Sequence, residues 1–410
     1  MSNKDIKKIL LVTMTPPGDR NVGEIILRDL CAQLPRNKLV VFTVAPNPPM
    51  EELVWDSEFA FAPDEKAWRI FPGRVGSLLS HLHHRFIFRR IISSIVDKIV
   101  HFGKTHGAEA IWITLNSVTL ISFGAELARR LNIPQLGLIW DPPDYLARRC
   151  GLDRLSRKLL QKYFSEAMRI SDRVAVVSEE MVKEYSQKYG CNCVVLRHAM
   201  HNTTVKPDGL TPDNKKTNPL RIGFAGTLYD MGQFNMLLEA LNLCGWKIGD
   251  RPIFIRMIGN WFRFNGMSFP CNIELMGWRS TDETSHLLSE CDLNFLPIPF
   301  SEEWQDLAVL CFPTKLSTYL ASGRPVFVYG PDYASSTKFC KQTGIGITCS
   351  SQNPGQILKV VSSFLCDQER YHQAQSNVFQ VREDYFSVCV MKQQFARFLG
   401  VDESVLNKSC

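Results

Sequence analysis

Residues 311–330, CFPTKLSTYLASGRPVFVYG, constrain the fold of this chain more than any other stretch. Pro313 suits the first turn of a helix, because the N–H that proline lacks has no partner within the helix there. Apolar side chains recur at helical spacing over 316–320, and a glycine followed shortly by a proline ends the helix. The β-branched and aromatic run at 326–329 then predicts a buried strand.

The predicted order of loop, helix and strand points to a binding property. The first N–H groups of a helix have no partner within the helix, so the helix start attracts anions, phosphate above all. Lys315 adds a full positive charge in the first turn. The same spacing also fits an ordinary helix–strand step of an α/β domain, and the pattern alone leaves both interpretations open.

The beginning of the chain repeats this alternation. A strand at 9–13, a helix at 24–34 and a strand at 39–44 make a βαβ unit, which implies a parallel sheet with ligands at the carboxyl ends of its strands. Gly23 is the best candidate binding residue in the first loop, although a plain turn glycine is an equal alternative. The glycines do not form the Gly-x-Gly-x-x-Gly dinucleotide fingerprint.

Three further strand ends carry candidate residues. Asp141 follows the apolar run at 133–140, where it can act in a reaction or serve as a turn carboxylate. Gly226 lies at the end of a strand that restarts an α/β pattern at 220, and glycine there lets the backbone approach a phosphate. Trp278 follows a strand at 273–276 and could stack on a base or simply pack with its neighbours.

Two segments of the first half have no clear assignment. Residues 45–75 are rich in proline and aromatic residues and show no period, which predicts a long surface excursion with acceptor contacts. A helix follows from about residue 81 to 102. It is either a basic amphipathic face for a membrane or a core helix that leads into the strand at 110–115.

Composition sets the remaining limits. A chain of 410 residues with 45% hydrophobic and 21% charged residues is expected to form two soluble globular domains. The thirteen cysteines show no Cys-x-x-Cys pair, which favours reduced thiols in a cytoplasm and no zinc site. Residues 1–205 carry 28 Lys and Arg against 21 Asp and Glu, a net charge of +7. This excess could serve an anionic membrane or acceptor, and no motif indicates nucleic acid.

A sequence motif within residues 311–330 resembles the donor-binding segment of GT-B glycosyltransferases, especially retaining family four. The motif is Phe-Pro-Thr-Lys-Leu-x-x-Tyr-Leu-Ala-x-Gly-Arg-Pro-Val. The resemblance implies an α/β fold of the GT-B type, two Rossmann-like domains with parallel sheets facing across a cleft. The expected division is an acceptor-side domain at 1–205, a linker at 206–219, a donor domain at 220–385, and a helix at 386–410 that packs back on the first domain.

The resemblance also implies roles for particular residues. It implies that the diphosphate and ribose of a sugar nucleotide meet the helix start, at Phe312, Pro313, Thr314, Lys315 and Leu316. Gly226 and Thr227 would contact phosphate, Trp278 the base, and Gly23 the region near phosphate and acceptor. Asp141 would lie in the reaction centre.

The implied function is transfer of a sugar from a nucleotide-sugar donor of the UDP or GDP type to a hydroxyl of a glycan or lipid-linked acceptor. Retention, independence of metal and of any other cofactor, and a cytoplasmic location, with peripheral attachment to the inner face of a membrane, are further expectations.

One departure from the family weakens this assignment. Family four typically has two glutamates eight positions apart around the central helix, and Leu310 and Thr318 stand at those positions here. Neither can accept two hydroxyl protons as a carboxylate does. A sugar-nucleotide 2-epimerase on the same fold and a non-catalytic GT-B-like binding protein therefore stay open as alternatives.

Overall fold

The computed structural model describes residues 5–50, 52–65, 73–200, 219–228, 230–259 and 271–407. The chain divides into two compact units: residues 1–197 with 391–410 form the first, and residues 198–390 form the second. The linker predicted at 206–219 lies outside the described residues, apart from Pro219. No helix in the described part of the chain is long and apolar enough to cross a bilayer.

The first unit contains a sheet of seven strands that all pair in parallel. The strands are β1 (Ile9–Thr13), β2 (Leu39–Ala45), β3 (Ser57–Phe61), β4 (Ala110–Thr114), β5 (Gln135–Leu138), β6 (Ser171–Val176) and β7 (Cys193–Val195). Their spatial order is β3-β2-β1-β4-β5-β6-β7. The first six strands therefore follow the 3-2-1-4-5-6 order of a Rossmann fold.

Helices connect these strands. They are α1 (Val22–Cys31), α2 (Gly73–His83), α3 (Arg89–Thr105), α4 (Val118–Leu131), α5 (Pro143–Arg149), α6 (Arg154–Ile170) and α7 (Glu179–Tyr189). A π-helical turn at His84–Phe88 joins α2 to α3 without a break. Every residue of β1 and β2 is buried, as expected for a parallel sheet that is covered on both faces.

The prediction for residues 45–75 was wrong in part. Strand β3 lies within this segment and pairs with β2 at the edge of the sheet. Its residues are mostly exposed, and only Ala60 is buried. An edge strand with one partner and little burial has no continuous apolar run, which explains why its sequence shows no period.

The second unit repeats the architecture. Its strands are β8 (Leu220–Ala225), β9 (Lys247–Ile248), β10 (Arg251–Ile258), β11 (Ile273–Gly277), β12 (Leu293–Pro297), β13 (Val326–Tyr329) and β14 (Gly346–Cys349). The order is β11-β10-β8-β12-β13-β14, with β9 antiparallel to β10. Without β9, this is again the 3-2-1-4-5-6 order, with every pair parallel.

The helices of this unit are α8 (Met231–Leu243), α9 (Thr281–Ser289), α10 (Gln305–Leu310), α11 (Thr314–Ala321), α12 (Ser335–Thr343), α13 (Pro354–Cys366) and α14 (Gln368–Phe386). Helix α11 buries Leu316, Tyr319 and Leu320 in one apolar cluster with Val326 and Val328 of β13. This packing fixes α11 against the sheet, with its start at the carboxyl end of β12.

The last helix, α15 (Val388–Leu399), lies almost wholly in the first unit. Its Phe395 ring lies 5.4 Å from the ring of Trp112, and the Phe398 ring lies 6.1 Å from it. Trp112 stands in the middle of β4 and is fully buried. Chain segments that are almost three hundred residues apart therefore share one core.

We expect Phe395→Ala to destabilise the first unit by about 3–5 kcal/mol, because it leaves a cavity against Trp112. Urea unfolding monitored by tryptophan fluorescence measures the change. The matched control is Phe61→Ala, since the Phe61 side chain is 63% exposed and should change stability by less than about 0.5 kcal/mol. Equal midpoints for the two variants would contradict the packing of α15 on β4.

Candidate functional site

The order of strands in the second unit selects one edge of its sheet. Strand β8 lies between β10 and β12, which is where the direction of chain progression reverses. In such sheets ligands bind outside the carboxyl ends of the strands at this switch point. The loop that begins at Gly226 and the start of α11 both lie there.

The start of α11 has no side-chain cap. Pro313 occupies the N-cap position without a capping hydrogen bond, and the N–H of Leu316 donates to its carbonyl at 2.9 Å. The first-turn N–H groups of a helix point past its start. Side chains do cap α1, α4, α6, α7, α8, α9, α13 and α14. Helix α11 is therefore open to an external anion in a way that most helices of this chain are not.

A second uncapped helix start lies next to the first. Helix α12 begins after Ala334 and also has no capping side chain. The hydroxyl of Ser335, its first residue, donates to the carbonyl of Cys311, just before α11. The two helix starts therefore contribute partial positive charge to the same part of the sheet edge.

Two glycines let the strand ends approach one another. Gly226 has φ +90° and donates its N–H to the Ile258 carbonyl at 2.8 Å. Gly259 has φ +144°, and a Cβ atom there would lie 3.1 Å from the carbonyl oxygen of Gly226. Both conformations disfavour other residues. The exposed backbone of Gly226 is thus available for close approach by a ligand.

Lys315 bridges α11 and the loop after β8. Its ammonium group donates a hydrogen bond to the Thr227 carbonyl and lies 4.9 Å from the centre of the Phe224 ring. Its Cε atom would be 3.1 Å from a Cβ at position 226, so glycine makes room for it. Burial lowers the pKa of Lys315 to about 8, because desolvation disfavours the charged form.

Tyr319 makes another contact between α11 and the end of β8. The N–H of Ala225, the last residue of β8, donates to the Tyr319 hydroxyl at 3.1 Å. Tyr319 is completely buried, so this bond is shielded from water. One helical turn of α11 therefore carries two polar ties to the end of β8, one through Tyr319 and one through Lys315.

The remaining residues predicted in this segment have different positions. The ring of Phe312 lies 5.0 Å from that of Phe339, and Leu316 is fully buried. The side chains of Phe312 and Leu316 therefore pack the helix against its neighbours, and Leu316 can offer only its backbone to a ligand. Thr314 is exposed. Leu310 is buried at the end of α10 and Thr318 is half-buried on α11, so neither supplies a carboxylate here.

Trp278 follows β11 directly and is 65% exposed. Its carbonyl accepts a hydrogen bond of 2.8 Å from the guanidinium of Arg279, while its ring has a large free face. This exposure excludes a core position for the Trp278 side chain. An exposed indole beside a strand end at this edge has the chemistry needed to stack on a base.

In the first unit, Gly23 lies against the side chain of the residue that precedes Asp141. A Cβ atom at Gly23 would lie 3.2 Å from the Trp140 ring, and Asp141 is the next residue along the chain. Asp141 is half-buried, and Pro142, not Asp141, is the N-cap of α5. Both residues lie at the carboxyl edge of the first sheet, after β1 and β5.

The start of α1 differs from that of α11 because its own side chains satisfy it. The Asn21 amide oxygen accepts from the Glu24 N–H at 3.0 Å, and the Glu24 carboxylate accepts from the Arg20 N–H at 3.0 Å. A carboxylate already lies over this helix start. The close contact with Trp140 gives Gly23 a packing reason to be glycine.

Sequence reasoning did not identify three contributors to the site: the Tyr319 hydroxyl, Ser335 and Gly259. Tyr319 looked like an apolar helix position, and its hydroxyl acquires a role only when β8 lies beside it. Gly259 gave a usable signal, since a glycine directly after a buried strand often marks close backbone approach. Ser335 gave none.

The sequence matches no protein-family model and no curated protein. Solved structures do match. HepE from Anabaena in complex with UDP and glucose is 15% identical, with a TM-score of 0.65 over 96% of this chain and 99% of that one. Sucrose-phosphate synthase from Thermosynechococcus elongatus is 12% identical, with a TM-score of 0.67 over 95% and 98%.

An α,α-trehalose 6-phosphate synthase from Burkholderia multivorans is 10% identical, with a TM-score of 0.62 over 96% of this chain and 98% of that one. These neighbours are GT-B glycosyltransferases. The predicted fold of two Rossmann-like domains is confirmed by the likeness and by the two parallel sheets. At these identities the likeness establishes the fold.

The pKa of Lys315 predicts how anion binding depends on pH. Only the ammonium form of Lys315 would attract an anion such as a diphosphate, whose phosphates are already ionised above about pH 7. We expect UDP affinity to stay level up to about pH 8 and then to fall, by up to about tenfold per pH unit, as Lys315 loses its proton. Isothermal titration calorimetry across this range measures the effect.

Lys315→Arg is the matched control for this profile, because arginine stays protonated throughout the range. Its affinity should not fall above pH 8. The same decline in both proteins would mean that another group titrates and that Lys315 does not contact the diphosphate.

Proposed function

We propose that this protein is a glycosyltransferase that transfers a sugar from a nucleotide-sugar donor to an acceptor hydroxyl. The donor would bind the second unit, with its diphosphate at the start of α11 between Lys315, Gly226 and the backbone of Thr227. Trp278 would stack on the base. The neighbour HepE, whose structures hold UDP and UDP-glucose, supports a donor of the UDP type.

One observation carries this proposal: an uncapped helix start at the switch point of a Rossmann-type sheet, with a half-buried lysine beside it. Helix N–H groups and an ammonium group are the donors that a diphosphate prefers. Aimed at the leaving group, they would stabilise the charge that develops on it as the glycosidic bond breaks. Metal-independent transfer is therefore part of the proposal.

The acceptor side is assigned to the first unit. Asp141 is half-buried shortly after β5, and we assign to it contact with the reacting sugar or acceptance of a proton from the acceptor hydroxyl. We assign retention of configuration and a hydroxyl of a glycan or lipid-linked glycan as the acceptor, because the segment at 311–330 resembles retaining family four. Location in the cytoplasm, at the inner face of a membrane, completes the proposal.

A non-catalytic binding protein is the second candidate, and one observation favours it. Leu310 is buried and Thr318 is half-buried, so neither position that carries a glutamate in family four, the second of which holds the ribose hydroxyls there, has a carboxylate here. Binding of nucleotide sugar without release of nucleoside diphosphate would identify this alternative. Interconversion of the donor sugar, without an acceptor, would identify a sugar-nucleotide epimerase.

We expect Lys315→Ala to weaken UDP binding about tenfold or more. The lost charge-assisted hydrogen bond is worth about 1.5–3 kcal/mol, and about 1.4 kcal/mol is a factor of ten. Calorimetry with UDP, GDP, dTDP and ADP measures the loss and ranks the bases. Lys359→Ala, an exposed lysine of α13, is the matched control and should bind normally. A folded Lys315→Ala protein with unchanged affinity would show that the anion site lies elsewhere.

For Asp141→Asn we expect turnover to fall about a hundredfold or more, as for loss of a general base, while UDP affinity stays unchanged. Release of UDP from UDP-glucose is assayed with acceptor in the presence of EDTA, which also tests metal independence. Asp144→Asn changes an exposed carboxylate three residues further on and should retain turnover. Full activity of Asp141→Asn would remove this residue from the reaction centre.

A further inference from the structure

In the first half of the helical run from residue 73 to 105, most of the large apolar side chains face outward. On the side that faces the protein, α2 and the π turn bury Gly76, Ser80, His84 and Phe88. The opposite side carries exposed large apolar side chains, namely Val75, Leu78, Leu79, Leu82, Phe86, Ile87 and Ile91. The hydrophobic effect favours the opposite arrangement in a helix that meets only water.

The exposed apolar residues form one continuous stripe. Their spacings along the chain are three or four residues, or pairs of neighbours, as on one face of a helix. The buried positions from 76 to 92 recur every four residues. Four residues of an α-helix turn by about 40° more than one full revolution, so these positions would rotate progressively away from the protein. The wider π turn at His84–Phe88 absorbs part of this drift. Both faces therefore continue from α2 into α3.

The charges along this stripe all have one sign. The sequence from 73 to 96 contains Arg74, Arg85, Arg89 and Arg90 and no Asp or Glu. All four arginines are exposed, and the Arg85 guanidinium lies 5.8 Å from the centre of the Phe86 ring. Asp153 interacts with His81 from the start of α6, but it caps α6 through the N–H groups of Leu155 and Ser156.

The helical segment that carries the stripe begins towards the carboxyl edge of the first sheet. Helix α3 runs back to the amino end of β4, so its beginning and α2 lie towards the carboxyl ends of the strands. His84 and Ser156 line a cavity of about 80 Å³ together with Val118, the first residue of α4. Helix α4 begins where β4 ends, and the residues after β1 and β5 share this edge.

We propose that the apolar residues of 73–91 and the four arginines form a membrane-docking surface for an anionic lipid bilayer. The apolar side chains would enter the boundary between headgroups and acyl chains, and the arginines would pair with anionic headgroups. Arginine suits this place because its stem can lie along apolar surface while its charged end reaches the phosphates.

Charge decides between a bilayer and a second copy of the chain. A two-fold symmetric contact would place this surface against itself and bring two sets of four arginines together without a carboxylate in 73–96. An anionic bilayer supplies the opposite charge. Where the proposed glycosyl transfer also holds, this docking would present the first unit to a lipid-linked acceptor.

The test is flotation of the full chain with vesicles, without nucleotide, so it does not depend on the proposed activity. Neutral phosphatidylcholine vesicles are compared with vesicles that also contain phosphatidylglycerol, at low and high salt. We expect binding to the anionic vesicles only, weakened by salt because exposed charges are screened.

Two variants separate the contributions of the stripe and the arginines. Leu78→Gln/Leu82→Gln/Phe86→Gln removes apolar area with little loss of helix propensity at the leucines. Arg85→Glu/Arg90→Glu reverses two charges. Each arginine near an anionic surface contributes about a fivefold gain in partition, so the charge variant should bind at least about twentyfold more weakly.

Matched controls test whether any loss of binding comes only from a general change in hydrophobicity or net charge. Leu243→Gln changes a leucine of α8 that is 64% exposed, and Arg36→Glu/Arg169→Glu makes the same change in net charge at exposed sites outside the stripe. Both should float like the wild type. Thermal unfolding verifies that every variant is folded.

Three results would overturn the proposal. One is equal flotation with neutral and anionic vesicles. Another is wild-type flotation of both stripe variants. The third is a dimer in light scattering that the glutamine variant converts to monomer without any flotation of the wild type, because a second copy would then cover the stripe.

Discussion

The junction between α11 and the end of β8 determines the geometry of the candidate site. The buried Tyr319 hydroxyl accepts from the last amide of β8, and the Lys315 ammonium donates to the Thr227 carbonyl one turn earlier on the helix. Gly226 makes the second contact sterically feasible, since a Cβ there would meet the lysine stem. A helix start tied to a strand end in this way is preorganised, so little ordering remains to oppose binding of an anion.

Particular helix starts differ between the two units although the units share one topology. In the first unit, Glu24 lies over the start of α1, and Glu65 accepts from the Thr119 N–H at 2.9 Å at the start of α4. Burial raises the pKa of Glu65 despite that hydrogen bond. In the second unit, α11 and α12 begin without a capping side chain and Lys315 adds positive charge. The starts of α1 and α4 are therefore already occupied by carboxyl groups of the chain itself, whereas the starts of α11 and α12 are suited to an external anion.

The sequence predicted the parts of the fold that depend on local pattern. The helix and strand of 311–330, the strands at 9–13 and 39–44, and the glycine at the end of β8 occur where their patterns indicated. The sequence pattern did not predict strand β3 or the outward-facing apolar residues of α2. Both are largely exposed, and burial is what produces the periodicity that sequence reasoning detects.

The sequence by itself determined two α/β units, an anion-attracting helix start and a basic first half, because backbone preference, side-chain period and charge are properties of short segments. The tertiary structure alone decided that Tyr319 ties α11 to β8, that Gly23 contacts Trp140, and that the leucines of α2 face outward. These facts depend on which strand ends and helix faces meet, and long-range packing of the sheet settles that.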